Sequence, residues 1–341
     1  MNLICFRRAT LSLIASLGLL SSGLVQAADE PLRFGITSTE SSQNQAGQWQ
    51  PFLDDMSDAL GVEVEPFFAT DYAAVIQAMR FDKIDLAWYG NKSAMEAVDR
   101  AGGEIFAQTV ATSGAQGYWG LMIVNKSSPY NSVNDILEHA SELTFGNGDP
   151  NSTSGYLVPG YYVFAKNNVD PKTAFKRTLN SNHETNALTV ANGQVDVATF
   201  STDSMKRLEI NHPDKAAQLK VIWKSPIIPS DPLVWRSDLD QETKDALRQF
   251  ILSYGDTPEQ KAALEPMSWS GFAASDNDQL LPIRQLELFR QRSLIADDDS
   301  LDADDKQSRL AELDAQLELL NQRMEAREAE QTDNSTAMVT Q

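Results

Sequence analysis

From Leu32 onward, short apolar runs alternate with segments in which apolar residues recur at helical spacing. A short continuous apolar run is typical of a buried strand, whereas apolar positions three or four residues apart indicate an amphipathic helix. The pattern predicts strands at Leu32–Thr37, Val62–Phe68 and Ile84–Trp88, and helices at Gln48–Leu60, Tyr72–Met79 and Ser93–Arg100. The alternation continues through Leu143–Phe145, Gly155–Lys166, Phe175–Leu179, Glu184–Asn192 and Val195–Thr199. Such an order predicts an α/β protein whose sheets are covered by helices on both faces.

Two stretches have the length and apolarity expected of chain crossings between two lobes. One is Tyr118–Asn125, and the other is Lys220–Arg236, which contains three prolines and two tryptophans. If both cross, residues 126–219 form one lobe, and residues 28–125 with 220–295 form the other. The alternative is that both are ordinary strands of one large sheet. Chain length favours two lobes, because single cores stop growing beyond about 250 residues.

The first residues have the layout of a secretory signal peptide. Arg7 and Arg8 precede the apolar run Leu11–Leu20, and a small-residue cleavage site ends at Ala27. A retained membrane anchor is the alternative, but the run is shorter than the roughly 20 apolar residues that a span requires. We therefore expect residues 1–27 to be removed after export to the periplasm.

The C-terminal segment, residues 296–341, differs in composition from the rest of the chain. Ala296–Asp305 reads as an acidic linker, and Glu328–Gln341 has the composition of a disordered tail. Between them, apolar residues at heptad spacing predict an amphipathic helix that needs a partner surface. That surface is either the protein's own lobe or a second copy in a homodimer. The apolar positions are Leu310, Leu313, Leu317, Leu320 and Met324.

Charge and cysteine content exclude several classes of function. The chain has 28 basic and 48 acidic residues and a net charge of −20, which disfavours nucleic acid and anionic membranes as partners. The single cysteine, Cys5, lies in the predicted signal peptide, so no disulfide is expected in the exported protein. With such an acidic chain, any anion site has to be built locally.

The segment Gly146–Gly155 carries the clearest signal for such a site. It follows an apolar run and precedes a helical one, so its backbone N–H groups and the positive end of a helix dipole converge on one point. Ser152, Thr153 and Ser154 add three hydroxyl donors, which suits a tetrahedral oxyanion. The segment lacks the lysine of a phosphate-binding P-loop. The alternative is a simple helix cap, since serine and threonine are favoured there.

Other candidate residues are weaker when each is taken alone. His183 begins a predicted helix and suits either an anion donor or a surface cap. Asp203 follows a predicted strand and Asp231 lies in the proline-rich crossing, positions also typical of caps and turns. Tyr72 and Tyr118 are aromatic residues of the kind that usually belong to a core.

No motif favours catalysis or a cofactor. The sequence has no GxSxG elbow and no GxGxxG fingerprint, and the exported part has no cysteine nucleophile. The three histidines lack the spacing of metal ligands. We therefore expect no metal, no cofactor and no enzymatic activity.

The sequence resembles the periplasmic phosphonate-binding subunits of phosphonate ABC transporters, over nearly the whole exported chain. The resemblance implies a two-lobed periplasmic-binding-protein fold of type II (Venus-flytrap) with a C-terminal helical extension. It implies a phosphonate ligand, a membrane permease as partner, and a homodimer as in the family's best-known member. The stretches that carry it are Phe34–Glu40, Asp71–Ala73, Ile84–Asn91, Thr144–Asn168, His183–Leu188 and Trp223–Pro226.

The resemblance also implies roles for individual residues. Ser152, Thr153 and Ser154 match the ligands of the phosphonate oxygens, and His183, Tyr72 and Tyr118 match the remaining contacts around that group and the carbon chain. Asp203 and Asp231 match the two carboxylates that hold the ligand's ammonium. The best-known member has glutamate where this chain has Asp203, which is one methylene shorter, so the reach to the ammonium differs or needs a bridging water.

Three hypotheses follow for function. The first is a binding protein that captures 2-aminoethylphosphonate and other alkylphosphonates and delivers them to an ABC importer. The second is a binding protein for an inorganic oxyanion such as phosphate or phosphite. The third is an exported enzyme that acts on phosphonates or phosphate esters, which the absence of a nucleophile, metal or cofactor motif disfavours.

Overall fold

A computed structural model describes the backbone of residues 30–339. The predicted signal peptide, residues 1–27, lies outside this range. No helix in the described part of the chain has the length and apolarity needed to cross a membrane.

The elements follow one another mostly as alternating strands and helices. The strands are β1 (Leu32–Ile36), β2 (Val64–Phe68), β3 (Leu86–Trp88), β4 (Gly103–Ala111), β5 (Gly117–Asn125), β6 (Thr144–Gly148), β7 (Arg177–Ser181), β8 (Val197–Ser201), β9 (Leu219–Pro229), β10 (Pro232–Arg236) and β11 (Trp269–Ala274). The α-helices are α1 (Ser42–Leu60), α2 (Tyr72–Arg80), α3 (Asn91–Arg100), α4 (Val133–Glu138), α5 (Pro171–Ala174), α6 (His183–Ala191), α7 (Thr202–Asn211), α8 (Pro213–Ala216), α9 (Gln241–Ser253), α10 (Pro258–Leu264), α11 (Leu281–Ala296) and α12 (Ala303–Val339). Short 3₁₀ turns occupy Ala140–Glu142, Ala165–Asn167, Glu265–Met267 and Asn277–Leu280, and π-helical turns occupy Thr153–Leu157 and Gly160–Phe164.

The strands form two separate mixed sheets. The first has six strands in the order β11-β4-β10-β3-β1-β2, and the second has five in the order β7-β6-β8-β5-β9. β1 pairs in parallel with β2 and β3, and β6 pairs in parallel with β7 and β8, while the remaining pairs are antiparallel. Each sheet is the centre of one lobe, so the single-sheet alternative is wrong and the two-lobed prediction is confirmed.

The expected lobe boundaries need correction. Both β5 and β9 belong wholly to the second sheet, so that sheet draws on residues 117–229 rather than 126–219. The chain passes between the sheets within residues 112–116 and again at Ser230–Asp231. β5 is apolar because it is an interior strand, flanked by β8 and β9 and packed on both faces, and not because it links the lobes.

Among the helices of the two lobes, a clear boundary difference lies at the start of α1. The prediction began at Gln48, but the helix begins at Ser42, where the Ser41 side chain accepts a hydrogen bond from the Asn44 N–H. The added turn is polar, so hydrophobic periodicity gave no signal for it, whereas a serine cap was available. The predicted end is confirmed, because Gly61 takes the left-handed conformation (φ 69°) that closes the helix.

Aromatic packing in the first lobe fixes the end of β3. The Trp49 ring lies 5.3 Å from Phe34, 5.5 Å from Trp88 and 5.5 Å from Trp269, measured between ring centroids. All four side chains are almost fully buried. Aromatic pairs at such distances add to the burial of apolar area, so this cluster holds Trp88 rigidly at the carboxyl end of its strand.

The second lobe holds β6 in a comparable way. The Phe145 ring stacks on Phe175 at 4.7 Å and meets Phe164 edge-on at 5.2 Å. Because Phe164 belongs to the helical segment that follows β6, this cluster fixes both sides of the turn between them.

The C-terminal helix packs against its own chain. Leu313 and Leu317 of α12 are buried, Gln285 of α11 donates to Asn321 at 2.7 Å, and Arg292 of α11 pairs with Asp314 at 2.6 Å. This intramolecular packing accounts for the apolar stripe, so the stripe gives no argument for a homodimer.

The tail also differs from the sequence prediction. The linker is shorter, since α11 ends at Ala296 and α12 begins at Ala303. The helix then continues past Glu328, where disorder was expected, to Val339. This extension includes the weak helix formers of residues 332–336 (TDNST), so the composition gave no signal for it.

A pair of leucines on α12 tests this packing. Leu317 is 7% exposed and Leu319 is 70% exposed. We expect Leu317→Ala to lower the free energy of unfolding by about 2–4 kcal/mol, because it removes a buried side chain and leaves a cavity. Leu319→Ala should change it by less than about 0.5 kcal/mol. Urea denaturation measures both, and equal effects would contradict the packing.

Candidate ligand-binding site

One buried cavity is lined by residues from both lobes. It contains every residue that the sequence singled out, namely Tyr72, Tyr118, Ser152, Thr153, Ser154, His183, Asp203 and Asp231. The structure therefore brings together side chains that are up to about half the chain apart. It adds to them Thr39, Trp88, Gly90, Ser201, Ser204 and Arg207.

Several helices begin at this cavity. Tyr72 and His183 are the first residues of α2 and α6, Asp203 lies in the first turn of α7, and Gly90 caps α3. The first N–H groups of a helix have no partner within it, and together they carry a partial positive charge. Such an arrangement favours an anion in the cavity although the protein as a whole is strongly acidic.

Two glycines, Gly148 and Gly155, let the serine-rich turn lie close to the end of β6. A Cβ atom at Gly148 would lie 2.6 Å from the Gly155 Cα atom, closer than real Cβ contacts allow. The Ser152 hydroxyl accepts a hydrogen bond from the Gly155 N–H at 3.0 Å. Only glycine lets the end of β6 approach the first helical turn so closely. Because this contact uses the hydroxyl oxygen as acceptor, the O–H of Ser152 remains a donor.

Thr153 and Ser154 extend the turn toward other elements. The Thr153 hydroxyl accepts from the Lys92 N–H at 2.8 Å, and thus caps α3, whose own cap residue has no side chain. The Ser154 Oγ atom lies 3.2 Å from His183 Nε2. All three hydroxyl residues are about 2% exposed, so their donors face a site shielded from bulk water.

His183 is a neutral group in this cavity. Burial lowers the pKa of its imidazole to about 3, and the charge of Arg207 lowers it further in the same direction. At physiological pH one ring nitrogen therefore carries a proton and the other does not. A neutral imidazole can donate a hydrogen bond to an anion without the cost of burying a charge.

The two aspartates are close to each other and to the serine turn. Burial raises the pKa of Asp231 to about 8, and the charge of Asp203 adds to the increase, while Tyr118 and Arg207 oppose it. Burial also raises the pKa of Asp203. Asp231 Oδ1 and Thr153 Oγ1 both lie within 4 Å of the position that a Cβ atom would take at Gly90. The carboxyl group and the hydroxyl donors thus share one small space.

Unpartnered polar atoms cluster at the same place. Among the side chains that the structure describes, the buried atoms without a hydrogen-bond partner are Trp88 Nε1, His183 Nδ1, Asp231 Oδ1 and Arg236 Nε. The first three belong to residues that line the cavity. Buried polar groups are normally paired, so their concentration marks a place built to bond a guest.

Direct contacts join the two lobes beside the cavity. Arg207 of α7 is ion-paired with Glu40, which lies between β1 and α1. Glu184 of α6 accepts a hydrogen bond from the Ser41 N–H at 2.7 Å and another from the Asn44 side chain. These contacts, together with that between Thr153 and Lys92, describe a closed cleft.

Arg207 was not predicted as a site residue, although its position relative to Asp203 was a signal in the sequence. Arg207 is four residues after Asp203, so the two share a face of α7. Thr39, Trp88 and Ser201 follow or end strands, and ligands of open α/β sheets bind at the carboxyl ends of strands. Applying that rule to every strand would have found these residues. The helical pattern alone predicts that Lys206 and Arg207 are ordinary surface residues.

The cavity offers no cluster of metal ligands. In the described residues, no group of three or more histidine, cysteine or acidic side chains is placed to hold a metal ion.

Comparison with known proteins agrees with this chemistry. The family model described as "ABC transporter, phosphonate, periplasmic substrate-binding protein" matches residues 34–280. The chain belongs to this family. Its members are transport proteins that bind a substrate and are not enzymes, so the hypothesis of an exported enzyme is wrong. Membership also agrees with export to the periplasm, while cleavage after Ala27 stays a prediction.

Two relatives resemble this phosphonate-binding protein over most of their length. The phosphonates-binding periplasmic protein of Escherichia coli is 56% identical over 303 residues, which cover 89% of each chain. The binding component of a phosphonate ABC transporter from Pseudomonas aeruginosa is 65% identical, with a TM-score of 0.87, over 88% of this chain and all of that one.

A more distant solved structure shares the fold. A Prochlorococcus marinus protein in complex with methylphosphonate is 22% identical, with a TM-score of 0.67, over 75% of this chain and 96% of that one. At this identity the likeness shows the fold alone.

A substitution at the close contact between Gly148 and Gly155 directly tests the role of the serine-rich turn in this phosphonate-binding protein. We expect Gly148→Ala to weaken methylphosphonate binding at least about tenfold and to lower the melting temperature, because the new methyl group pushes the serine turn away. Gly47→Ala is the control, since a Cβ atom there meets nothing within 4 Å and alanine favours a helix. Calorimetric titration and thermal unfolding measure both. Unchanged affinity in Gly148→Ala would contradict the proposed role of the close approach.

Proposed function

We propose that this phosphonate-binding protein captures 2-aminoethylphosphonate, and also simple alkylphosphonates, and delivers them to the membrane permease of an ABC importer. The observation that carries the proposal is the presence of two carboxyl groups in the same buried cavity as a set of neutral hydrogen-bond donors. A ligand with an anionic head and a cationic end uses both. Inorganic phosphate uses only the donors.

The donors suit the phosphonate group. The hydroxyls of Ser152, Thr153 and Ser154 and the imidazole of His183 are neutral, and helix N-termini add backbone N–H groups. Hydrogen bonds to a charged group contribute about 1.5–3 kcal/mol each, roughly twice as much as neutral ones. The sum of such contacts exceeds the affinity that results, because closing the cleft and ordering the ligand cost free energy.

The carboxyl groups suit the ammonium. Burial raises the pKa of Asp231, and repulsion from the charge of Asp203 adds to the increase. A cation placed between them removes this repulsion and stabilises both ionised forms. The aspartates therefore favour a zwitterion over an anion of the same size. In this proposal the shorter side chain of Asp203 sets the distance to the ammonium.

The two tyrosines suit the carbon chain between these groups. Burial raises the pKa of Tyr72 and of Tyr118, with smaller contributions from Asp149 and Asp231 respectively, so both phenols stay protonated. A protonated phenol presents an apolar ring to the methylene groups and an O–H to a polar end.

Delivery depends on closure of the cleft. The cavity is lined from both lobes, so a ligand in contact with Ser154 and Asp231 stabilises the closed form over the open one. A permease can distinguish these two forms by the relative position of the lobes.

Calorimetric titration of the purified protein tests the proposal. We expect 2-aminoethylphosphonate to bind in the micromolar range or tighter, methylphosphonate to bind more weakly, and inorganic phosphate to bind most weakly. If neither phosphonate binds, the ligand assignment is wrong. If inorganic phosphate binds best, the protein belongs functionally with oxyanion carriers.

A substitution at Asp231 tests recognition of the ammonium separately from recognition of the phosphonate group. We expect Asp231→Asn to weaken 2-aminoethylphosphonate at least about tenfold, because the side chain keeps its shape and loses its charge. Methylphosphonate should change by less than about threefold. Titration of both ligands against the variant gives the comparison, and an equal loss for both would contradict an ammonium role.

The raised pKa of Asp231 predicts a pH dependence. In the closed cleft its carboxyl has a pKa of about 8, so closure without a cation leaves it mostly protonated at neutral pH. A bound ammonium favours the ionised form, and binding therefore releases a proton. Affinity for 2-aminoethylphosphonate should rise with pH, by at most about tenfold per unit, and level off above about pH 8.

The control for this effect is the same titration with Asp231→Asn. It removes the carboxyl and keeps the titration of the ligand's own phosphonate group. We expect the pH profile of the variant to be flatter than that of the native protein between about pH 6 and about pH 9. Parallel profiles would show that Asp231 does not titrate on binding.

A further inference from the structure

We propose that Glu40 and Arg207 control whether Asp203 is available to the cationic end of a ligand. In the closed cleft Glu40 holds Arg207, and this leaves the Asp203 carboxylate free. The inference rests on the proposed function, because it requires a ligand with an ammonium. Arg207 is in this view a positioning residue that acts on ligand choice through Asp203.

The ion pair between Glu40 and Arg207 is buried and joins the lobes. Both residues are about 6% exposed, and Arg207 Nε donates to Glu40 Oε1 across 167 residues of sequence. Glu40 also accepts from the Gln48 side chain at 3.1 Å. Arg207 Nη2 donates to Ser204 Oγ at 3.1 Å. A buried pair with such support is bonded at both ends, and the loss of one partner leaves an uncompensated charge.

Asp203 is the alternative partner of Arg207 within its own lobe. The two residues are four apart on α7, with the acid on the N-terminal side, which is the spacing and order that favour a helical ion pair. The charge of Asp203 raises the pKa of Arg207, and the charge of Arg207 lowers that of Asp203, so the two groups already sense each other in the closed cleft. Among the ion pairs of the described residues, however, Arg207 has Glu40 as its partner.

Closure therefore exchanges one partner for another. Glu40 belongs to the lobe of the first sheet and Arg207 to the lobe of the second, so opening the cleft separates them. The guanidinium then turns to Asp203, which lies four residues before it on α7. When the cleft closes, Glu40 draws the guanidinium away and the ammonium of the ligand takes its place beside Asp203.

This exchange predicts that Glu40 affects ligand choice although it does not line the cavity. If Glu40 loses its charge, Arg207 stays on Asp203 in the closed form as well. The ligand's ammonium then approaches an Asp203 carboxylate that is already neutralised by Arg207, and the guanidinium is a second cation beside it. A phosphonate without an ammonium loses only the contribution of this ion pair to closure, which both ligands lose alike.

The inference is tested with four proteins. For each one, the measured quantity is the dissociation constant of methylphosphonate divided by that of 2-aminoethylphosphonate. We expect Glu40→Gln to lower this ratio by about tenfold or more relative to the native protein. Glu184→Gln is the matched control, since Glu184 also joins the lobes but bonds Ser41 and Asn44. It should weaken both ligands equally and leave the ratio within about twofold.

The double variant Glu40→Gln with Arg207→Gln distinguishes a charge effect from loss of structure. Removing both charges frees Asp203 again, so the ratio should return to within about threefold of the native value. An unchanged ratio in Glu40→Gln, or a double variant that fails to restore it, would overturn the inference. If Glu40→Gln does not fold, Arg207→Gln alone decides, and a ratio below the native value would overturn the inference.

The native protein in the same titrations keeps the two proposals apart. If it prefers 2-aminoethylphosphonate and the ratio does not respond to Glu40, the proposed function stands and the inference is wrong. If it binds methylphosphonate but not 2-aminoethylphosphonate, both the ammonium role and the inference are wrong.

Discussion

The burial of ionisable groups around one small cavity is the constraint on which this structure depends. Glu40 and Arg207 are about 6% exposed, and burial raises the pKa of both Asp203 and Asp231. Each buried charge is costly unless an opposite charge or a donor compensates it. Glu40 compensates Arg207, whereas burial and the charge of Asp203 hold Asp231 mostly protonated at neutral pH. A site of this kind is completed by a guest that brings its own positive charge. The helix N-termini and hydroxyls provide for the negative end of the same guest.

The two lobes supply different parts of this arrangement. The turn with Ser152 and Ser154, the imidazole of His183 and the carboxyl of Asp203 come from the second lobe, whereas Tyr72 and Trp88 come from the first. Neither lobe alone encloses a zwitterion. The contacts across the cleft include the ion pair of Glu40 with Arg207 and a hydrophobic cluster with residues of both lobes. A guest that bonds both sides stabilises this closed form further. This is the behaviour that a carrier needs, because it has to hold its substrate and then release it.

Part of this account was predictable from the sequence. Hydrophobic periodicity gave the order of strands and helices, and the residue types of the serine-rich turn after β6 made it a candidate anion site, with a helix cap as the alternative. The aspartates and tyrosines gained a role only through resemblance to a family, since single residues at helix starts and in turns are common. The pairing of Glu40 with Arg207 was out of reach, because it joins residues of opposite lobes. The lobe boundaries were misplaced because an interior strand and a linking strand are equally apolar.

A crystal structure of the protein with 2-aminoethylphosphonate would test the central claim most directly. The account predicts that the phosphonate oxygens contact Ser152, Thr153 and Ser154, and that the ammonium lies within hydrogen-bond distance of both Asp203 and Asp231. Arg207 should remain bonded to Glu40 in that structure. A ligand bound in the reverse orientation, or an ammonium directed to solvent, would contradict the account.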